Sequence, residues 1–373
     1  TLLAAGQQAE AARGRQQPAR VLPNPQVDVL LEVVSGDTGL SAGDATTTME
    51  LSQRLELGGK RSSRVAIARN GTREAELAAR VRRLEVIRDT RIAFHTLQVA
   101  QERVRLAREA EALARQVHQA VQARIEAGKV SPIEGARTQV AVNAAERRAR
   151  LAEREVAQAR TRLSVLWGGE SATGAIAHLT PLPITVALPP EGSSNSPELN
   201  RLTLEVERAR AGVQASRAGT VPDITLRVGT KREAVTRDQS LLAGVSLPLP
   251  LFNRNQGERR AAHAELNAAE ATLAAEKLQV TAEITSQRQQ LEAAYAEARA
   301  LQDGVLGTAE QAFTATQEGY RAGKFGLLEL LDTQRALIDA RNAYLDSLLS
   351  YFQSQAALDR LLGRDVTVSG DAP

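Results

Sequence analysis

The sequence contains no cysteine, few aromatic residues and no long apolar run. Without cysteine, the chain cannot form disulfide bonds, thiolate zinc sites or a cysteine nucleophile. Aromatic residues make up only 3% of the 373 residues, so few large rings are available to fill globular cores. No stretch approaches the roughly 18 consecutive apolar residues that a membrane-spanning helix needs. If the chain spans a membrane, it must therefore do so with β-strands.

Charge and sequence motifs give no sign of an active site. The 47 basic and 44 acidic residues nearly cancel, and both signs are mixed along the chain, as in Arg82, Arg83 and Glu85, which argues against a basic nucleic-acid-binding stripe. Nucleophile-elbow, phosphate-loop and dinucleotide motifs are absent. The four histidines lack the spacing of metal ligands: His95, His118, His178 and His263. We therefore expect no enzyme activity, no catalytic residues, no cofactor, no metal site and no nucleic-acid partner.

The sequence repeats itself at long range. Three pairs of segments lie 195 residues apart: Gly128-Lys129 with Gly323-Lys324, Thr138-Gln139 with Thr333-Gln334, and residues 163–168 with 358–363. Such a fixed offset is the signature of duplicated structure. The sequence therefore predicts two copies of one unit, 1–195 and 196–373.

Each copy predicts the same order of elements. The first has a short helix over 7–20, strands at about 25–35 and 46–57 around a Gly/Asp/Ser loop at 35–44, a long helix over 62–127, a helix over 132–167 and an irregular link. The second has helices over 197–218, 256–322 and 327–362, strands at about 223–232 and 240–249, and a tail from 366. A helix of about 66 residues is about 100 Å long, too long for a compact domain. Its thin apolar stripe predicts coiled-coil-like packing.

The strands alternate between apolar and polar residues. Val27, Val29 and Leu31 alternate with Asp28 and Glu32, which is typical of a sheet with one apolar face. Strands of about ten residues can cross a bilayer, but four strands cannot close a barrel with a lumen, so a membrane barrel would require several chains. Half-buried strands of a soluble protein also show this alternation. A soluble periplasmic coiled-coil scaffold and a periplasmic adaptor protein thus stay open as alternatives.

Two strand-to-helix segments, Leu55–Arg61 (LELGGKR) and Pro248–Gly257 (PLPLFNRNQG), complete the pattern. With the duplicated strand pairs and the Gly-Lys turns, the chain resembles the TolC-type outer-membrane efflux family, and these two segments resemble its heavy-metal branch, the CzcC-like proteins of cobalt-zinc-cadmium resistance. This resemblance implies an α+β membrane protein. It also implies a homotrimer with a 12-stranded outer-membrane β-barrel, four strands per protomer, continuous with a periplasmic α-helical barrel.

The resemblance also implies function and partners. The protein would be the passive exit duct of a tripartite resistance-nodulation-division (RND) efflux system that exports divalent heavy-metal cations. Its partners would be a periplasmic adaptor, an inner-membrane RND transporter and outer-membrane lipid. Because the sequence begins at Thr1 without a leader, we expect any export signal or lipid anchor to lie outside it.

Residues at the far ends of the long helices are the candidate site. By resemblance, Glu329 and Asp332 form acidic rings at the constriction, and their i, i+3 spacing places both carboxylates on one helix face. Tyr320 is expected to bond Glu134 to close the gate, while Phe325 replaces a basic partner found in some relatives. The expected adaptor-docking residues are the two Gly-Lys turns: Gly128, Lys129, Gly323 and Lys324.

Overall fold

The structure is a computed structural model that describes residues 2–33, 45–168, 178–186, 188, 196–234 and 236–365. The loop predicted at 35–44, much of the link over 168–195 and the tail from 366 lie outside the described residues. No helix within the described ranges has an apolar stretch long enough to cross a membrane.

Long helices and four strands make up the described chain. The helices are α1 (Leu2–Arg20), α2 (Lys60–Glu126), α3 (Pro132–Trp167), α4 (Pro197–Ala218), α5 (Gln256–Ala300), α6 (Leu306–Arg321) and α7 (Leu327–Leu361); the strands are β1 (Gln26–Val33), β2 (Ala45–Leu55), β3 (Ile224–Glu233) and β4 (Gln239–Ser246). Two differences from the sequence-based expectation stand out. Helix α1 begins at Leu2 instead of Gln7, and the second long helix is interrupted by a π-helical turn, Leu301–Val305.

The four strands form one antiparallel sheet in the order β1-β2-β3-β4. The register places the apolar residues on one face, with exposed fractions of 44% to 77%: Val27, Val29, Met49, Leu51, Leu226, Val228, Leu241 and Val245. The opposite face carries charged residues, including Asp28, Glu50, Arg227 and Lys231. So large an uncovered apolar face requires an apolar environment, such as lipid.

The chain forms two compact units, and each contains parts of both sequence copies. The first, Thr1–Arg82 with Pro197–Gln279, holds the sheet, α1, α4 and the beginnings of α2 and α5. The second, Arg83–Ser196 with Val280–Pro373, holds the remaining helices. The division into repeats at 195 and 196 stays a prediction from the sequence.

In the first unit, a polar cluster fixes the passage from β2 into α2. Asp223, just before β3, accepts hydrogen bonds from Lys60 Nζ (2.6 Å) and from the Leu57 backbone N–H (3.2 Å). One residue beyond the end of β2, Glu56 is paired with Arg64, whose hydrogen bonds hold the pKa of that carboxyl below its ordinary value. The strand ends and the helix start are therefore tied together by charge-assisted bonds, which are stronger than neutral ones.

In the second unit, the helices lie side by side in the order α3, α2, α7, α5–α6. Leu97 of α2 and Leu163 of α3 belong to one buried apolar cluster, and Leu291 of α5 and Leu348 of α7 belong to another. Contacts between α2 and α7 join the two halves of this layer, as in the ion pair between Arg91 and Asp359 at 2.7 Å. Helices α3 and α5–α6 are therefore the two edges.

Candidate functional site

Two short turns connect helices of the second unit. The first tip, residues 127–131, joins α2 to α3, and the second tip, residues 322–326, joins α6 to α7. Gly128 and Gly323 have φ of +70° and +72°. In the first tip, the N–H of Lys129 bonds the Arg124 carbonyl at 2.9 Å; in the second, Lys324 bonds the Gly319 carbonyl at 2.8 Å. This is the Schellman arrangement, in which a left-handed glycine satisfies the last carbonyls of a helix. Both lysine side chains are exposed.

Tyr320 lies in the apolar cluster beneath the tips. It packs with α2 and α7 residues that include Val121 and Leu330, and only 8% of its surface is exposed. The guanidinium carbon of Arg124 lies 4.8 Å from the centre of its ring, within the range of a cation–π interaction. The ring therefore joins the end of α6 to α2.

The expected bond from Tyr320 to Glu134 is not among the hydrogen bonds of the described residues. Glu134 is half-buried in the first turn of α3, where the helix dipole favours a carboxylate. The structure instead brings Arg124 to Tyr320. Sequence reasoning missed Arg124, because nothing in the helical spacing distinguishes it from the other arginines of α2.

Glu329 and Asp332 occupy the first turns of α7. Both are exposed, whereas Leu327 and Leu330 on the opposite face are buried. Within the described chain, neither carboxylate has an ion-pair partner. The two carboxylates are therefore accessible to mobile cations.

Phe325 belongs to the second tip, and its ring packs on Gly319 of α6. A Cβ atom added at Gly319 would lie 2.1 Å from the Cδ2 atom of Phe325, so the ring rests on the α6 backbone. The ring is still 49% exposed. This aromatic contact therefore lies within the second tip and does not connect it to the first.

The half-buried His95 of the second unit is not arranged as a metal ligand. His95 stacks on Phe352 with ring centres 3.9 Å apart, and its Nδ1 lies 3.0 Å from the Gln98 amide oxygen. Burial lowers the pKa of His95 to about 4, so the ring is neutral at pH 7. Across the described ranges, no three His, Asp or Glu residues are grouped so that they could hold a metal ion.

The family model for outer membrane efflux proteins matches residues 1–169 and 188–364, nearly the whole chain. The chain belongs to this family. It is 36% identical to the cobalt-zinc-cadmium resistance protein CzcC of Cupriavidus metallidurans, over 97% of this chain and 86% of CzcC. It is 29% identical to the nickel-cobalt-cadmium resistance protein NccC of Alcaligenes xylosoxydans xylosoxydans, over 98% of this chain and 83% of NccC.

The fold is shared with solved structures. CusC superposes with a TM-score of 0.82 at 17% identity, covering 97% of this chain and 89% of CusC. The predicted family and fold class are thus confirmed. As a member of the outer membrane efflux family, the protein is an outer-membrane channel of an efflux system.

Proposed function

We propose that this channel is the exit duct for divalent heavy-metal cations. The observation that carries the proposal is the similarity to CzcC over nearly the whole of both chains. A second metal-resistance protein, NccC, is similar over almost the same length. Zinc, cobalt and cadmium are therefore the first ions to test, with nickel next.

The proposed assembly is a homotrimer that works with a periplasmic adaptor and an inner-membrane RND transporter. Strands β1 and β4 are the outer strands of the described sheet, so each has one edge available to another copy. Three sheets of four strands would close a 12-stranded barrel, with the apolar face toward lipid and the charged face toward the lumen.

The proposed gate lies at the two tips. In a trimer, Glu329 and Asp332 would form two rings of three carboxylates, which attract divalent cations and exclude anions. Their exposure and lack of a partner in the described chain support this role. The bond between Tyr320 and Glu134 is proposed for the closed state of the complete channel. The adaptor is proposed to dock on Gly128, Lys129, Gly323 and Lys324.

Complementation of a strain that lacks its outer-membrane channel tests which substrate the protein exports. The gene would be expressed in a bacterium that carries the adaptor and transporter of a cobalt-zinc-cadmium system but lacks its own outer-membrane channel. We expect metal tolerance to be restored and preloaded ⁶⁵Zn to leave the cells faster. The matched control is the empty vector, and the channel's level in the membrane is measured in each strain.

Export of an organic compound without any gain in zinc, cobalt, cadmium or nickel tolerance would contradict the metal cargo. One relative makes this a useful comparison: the pyoverdine export protein OpmQ of Pseudomonas putida is 30% identical over 65% of this chain. Pyoverdine export should therefore be measured in the same strains.

A further inference from the structure

Four chain segments meet where the helices of the first unit join the strand ends. Together they form the junction collar: residues 20–23, 56–64, 216–223 and 247–260. Arg61 Nε donates to the Arg20 carbonyl at 2.8 Å, and Asn255 Nδ2 donates to the Ser216 carbonyl at 2.8 Å. The polar cluster around Asp223 joins these two pairs of segments. The junction collar is therefore one continuous surface at one end of the sheet.

The apolar face of the sheet continues onto the junction collar. Beyond the end of β4, every second residue is an exposed leucine, at 247, 249 and 251, and the ring of Phe252 is 94% exposed. The other segments of the collar add three exposed apolar side chains: Val21, Leu22 and Val221. This apolar rim requires the same kind of environment as the uncovered face of the sheet.

The backbone of the rim also suits an apolar environment. Pro248 and Pro250 have no N–H group, and the N–H of Leu251 bonds the Leu249 carbonyl at 2.9 Å. Unpaired N–H groups are costly in lipid, because no water is present there to accept their hydrogen bonds. Three of the residues 247–252 therefore bring no unpaired N–H group into lipid.

Exposed arginines accompany the rim in all four segments: Arg20, Arg61, Arg217, Arg254, Arg259 and Arg260. Among the described residues, none of these six belongs to an ion pair. Two of the three acidic residues in the collar are already paired, Glu56 with Arg64 and Asp223 with Lys60. The third, Glu258, is exposed. The collar thus carries an excess of positive charge that the described chain does not neutralise.

The arginines lie at a suitable distance from the rim to reach lipid phosphates. Arg254 is two residues beyond Phe252, and Arg259 and Arg260 lie within about 6 Å of the start of α5. The headgroup layer on each side of the hydrocarbon core is about 5–8 Å thick. With the rim at the edge of the hydrocarbon core, these guanidinium groups therefore reach the phosphate layer.

We propose that the junction collar binds the phosphate groups of anionic phospholipids. The apolar rim lies against the acyl chains, and the arginines bind phosphate oxygens, to which a guanidinium can donate two parallel hydrogen bonds. The leaflet is the one that faces the periplasm, because the long helices α2 and α5 begin at the collar. This inference rests on the proposed placement of the apolar sheet face in lipid and adds the class of lipid that the protein holds.

The association of spin-labelled lipids tests the recognition of charge. The protein is reconstituted in phosphatidylcholine vesicles with a trace of spin-labelled phosphatidylglycerol or spin-labelled phosphatidylcholine, and electron paramagnetic resonance gives the immobilised fraction of each. We expect phosphatidylglycerol to be preferred about threefold. Arg259→Gln/Arg260→Gln should remove roughly half of this preference or more, whereas Arg259→Lys/Arg260→Lys, which keeps the charge, should retain most of it.

The matched control is Arg147→Gln/Arg148→Gln, which makes the same change in an adjacent pair of exposed arginines on α3 and should keep the full preference. Equal association of the two lipids with the unmodified protein would overturn the proposal and leave an acidic partner protein as the counterpart of the arginines. An equal loss of preference in both glutamine variants would also overturn it, because the effect would then not belong to the collar.

Nitroxide labels on single cysteines distinguish failure of this inference from failure of the proposed barrel, and the chain has no native cysteine to interfere. One label is placed at Phe252→Cys in the rim and another at Leu241→Cys on the apolar face of the sheet. Collisions with oxygen and with a water-soluble nickel complex show whether each label lies in lipid. Both labels in lipid support the inference. Lipid at 241 with water at 252 would overturn it and leave the barrel intact, and water at 241 would overturn both.

Discussion

At the residue scale, the second unit keeps a neutral histidine among charged neighbours. The His95 ring stacks on Phe352, and Arg91, whose charge also disfavours a protonated ring, is paired with Asp359. Burial among these neighbours therefore favours the uncharged ring in the folded protein. The pH at which it takes up a proton is therefore linked to the stability of this part of the fold.

Lowering the pH should destabilise the folded protein, because His95 binds a proton more readily in the unfolded chain. Its pKa is about 4 when folded and about 6.5 when unfolded, so the unfolded chain binds more protons between these values. Stability should therefore fall as the pH decreases from about 6.5 to about 4, by on the order of 2 kcal/mol after allowance for partial exposure. The variant His95→Phe should flatten this slope. Thermal unfolding of the helical circular dichroism signal from pH 4 to 7.5 measures it.

The matched control is His263→Gln, because His263 is exposed on α5 and should leave the slope unchanged. An unaltered slope in His95→Phe would show that another group causes the acid sensitivity.

The carboxylates of α7 give a prediction for conduction. Replacing Glu329 and Asp332 together with Ala should raise the single-channel conductance and weaken the preference for cations, because the proposed rings would no longer hold counter-ions at the constriction. Planar-bilayer recordings in asymmetric salt give both quantities. Asp339→Ala, which removes an exposed carboxylate farther along α7, serves as the control. Unchanged reversal potentials in the double variant would remove these residues from the gate.

The residues of the candidate site show what the sequence could and could not predict. The positions of Glu329 and Asp332 on one exposed face follow from helical spacing alone. The contact of Arg124 with Tyr320 joins residues almost 200 positions apart, and local periodicity carries no information about such pairs. The packing of Phe325 on Gly319 likewise depends on how the second tip folds back.

At the element scale, the strand-to-helix junction depends on backbone conformations that few residues tolerate. Gly58 and Gly59 have φ of +70° and +81° before α2, and Asn255 takes φ of +60° before α5. Glycine, and less readily asparagine, adopts this left-handed region without large cost. The LELGGKR and FNRNQG segments therefore provide the same bend by different residues.

Substituting Gly58 by Ala should disrupt this junction. Alanine is unfavourable at the positive φ of Gly58, and its Cβ atom would lie 2.7 Å from the Cβ atom of Val221. We expect a loss of about 2–3 kcal/mol and less folded protein in the membrane. Gly257→Ala is the control, because it lies in the first turn of α5 with open space around it and should be neutral or slightly stabilising. Heat denaturation of purified protein compares the two, and equal midpoints would contradict the steric argument.

The long helices were predictable as elements, but their interruption was not. Apolar spacing and the absence of proline indicate one continuous helix over 256–322, whereas the structure has a π-helical turn at Leu301–Val305. These five residues include Asp303 and Gly304, two residue types that residues 258–300 lack, but one Asp-Gly pair does not by itself predict a π-helical turn.

At the scale of the whole molecule, the chain is incomplete without neighbours. Over the described residues, the sheet has an exposed apolar face and two outer strands, β1 and β4, each with one unpaired edge, and the helical layer ends in α3 on one side and α5–α6 on the other. Duplication explains the arrangement, because each half of the chain presents surfaces that fit the other half. In the proposed trimer, further copies of the chain would cover these edges.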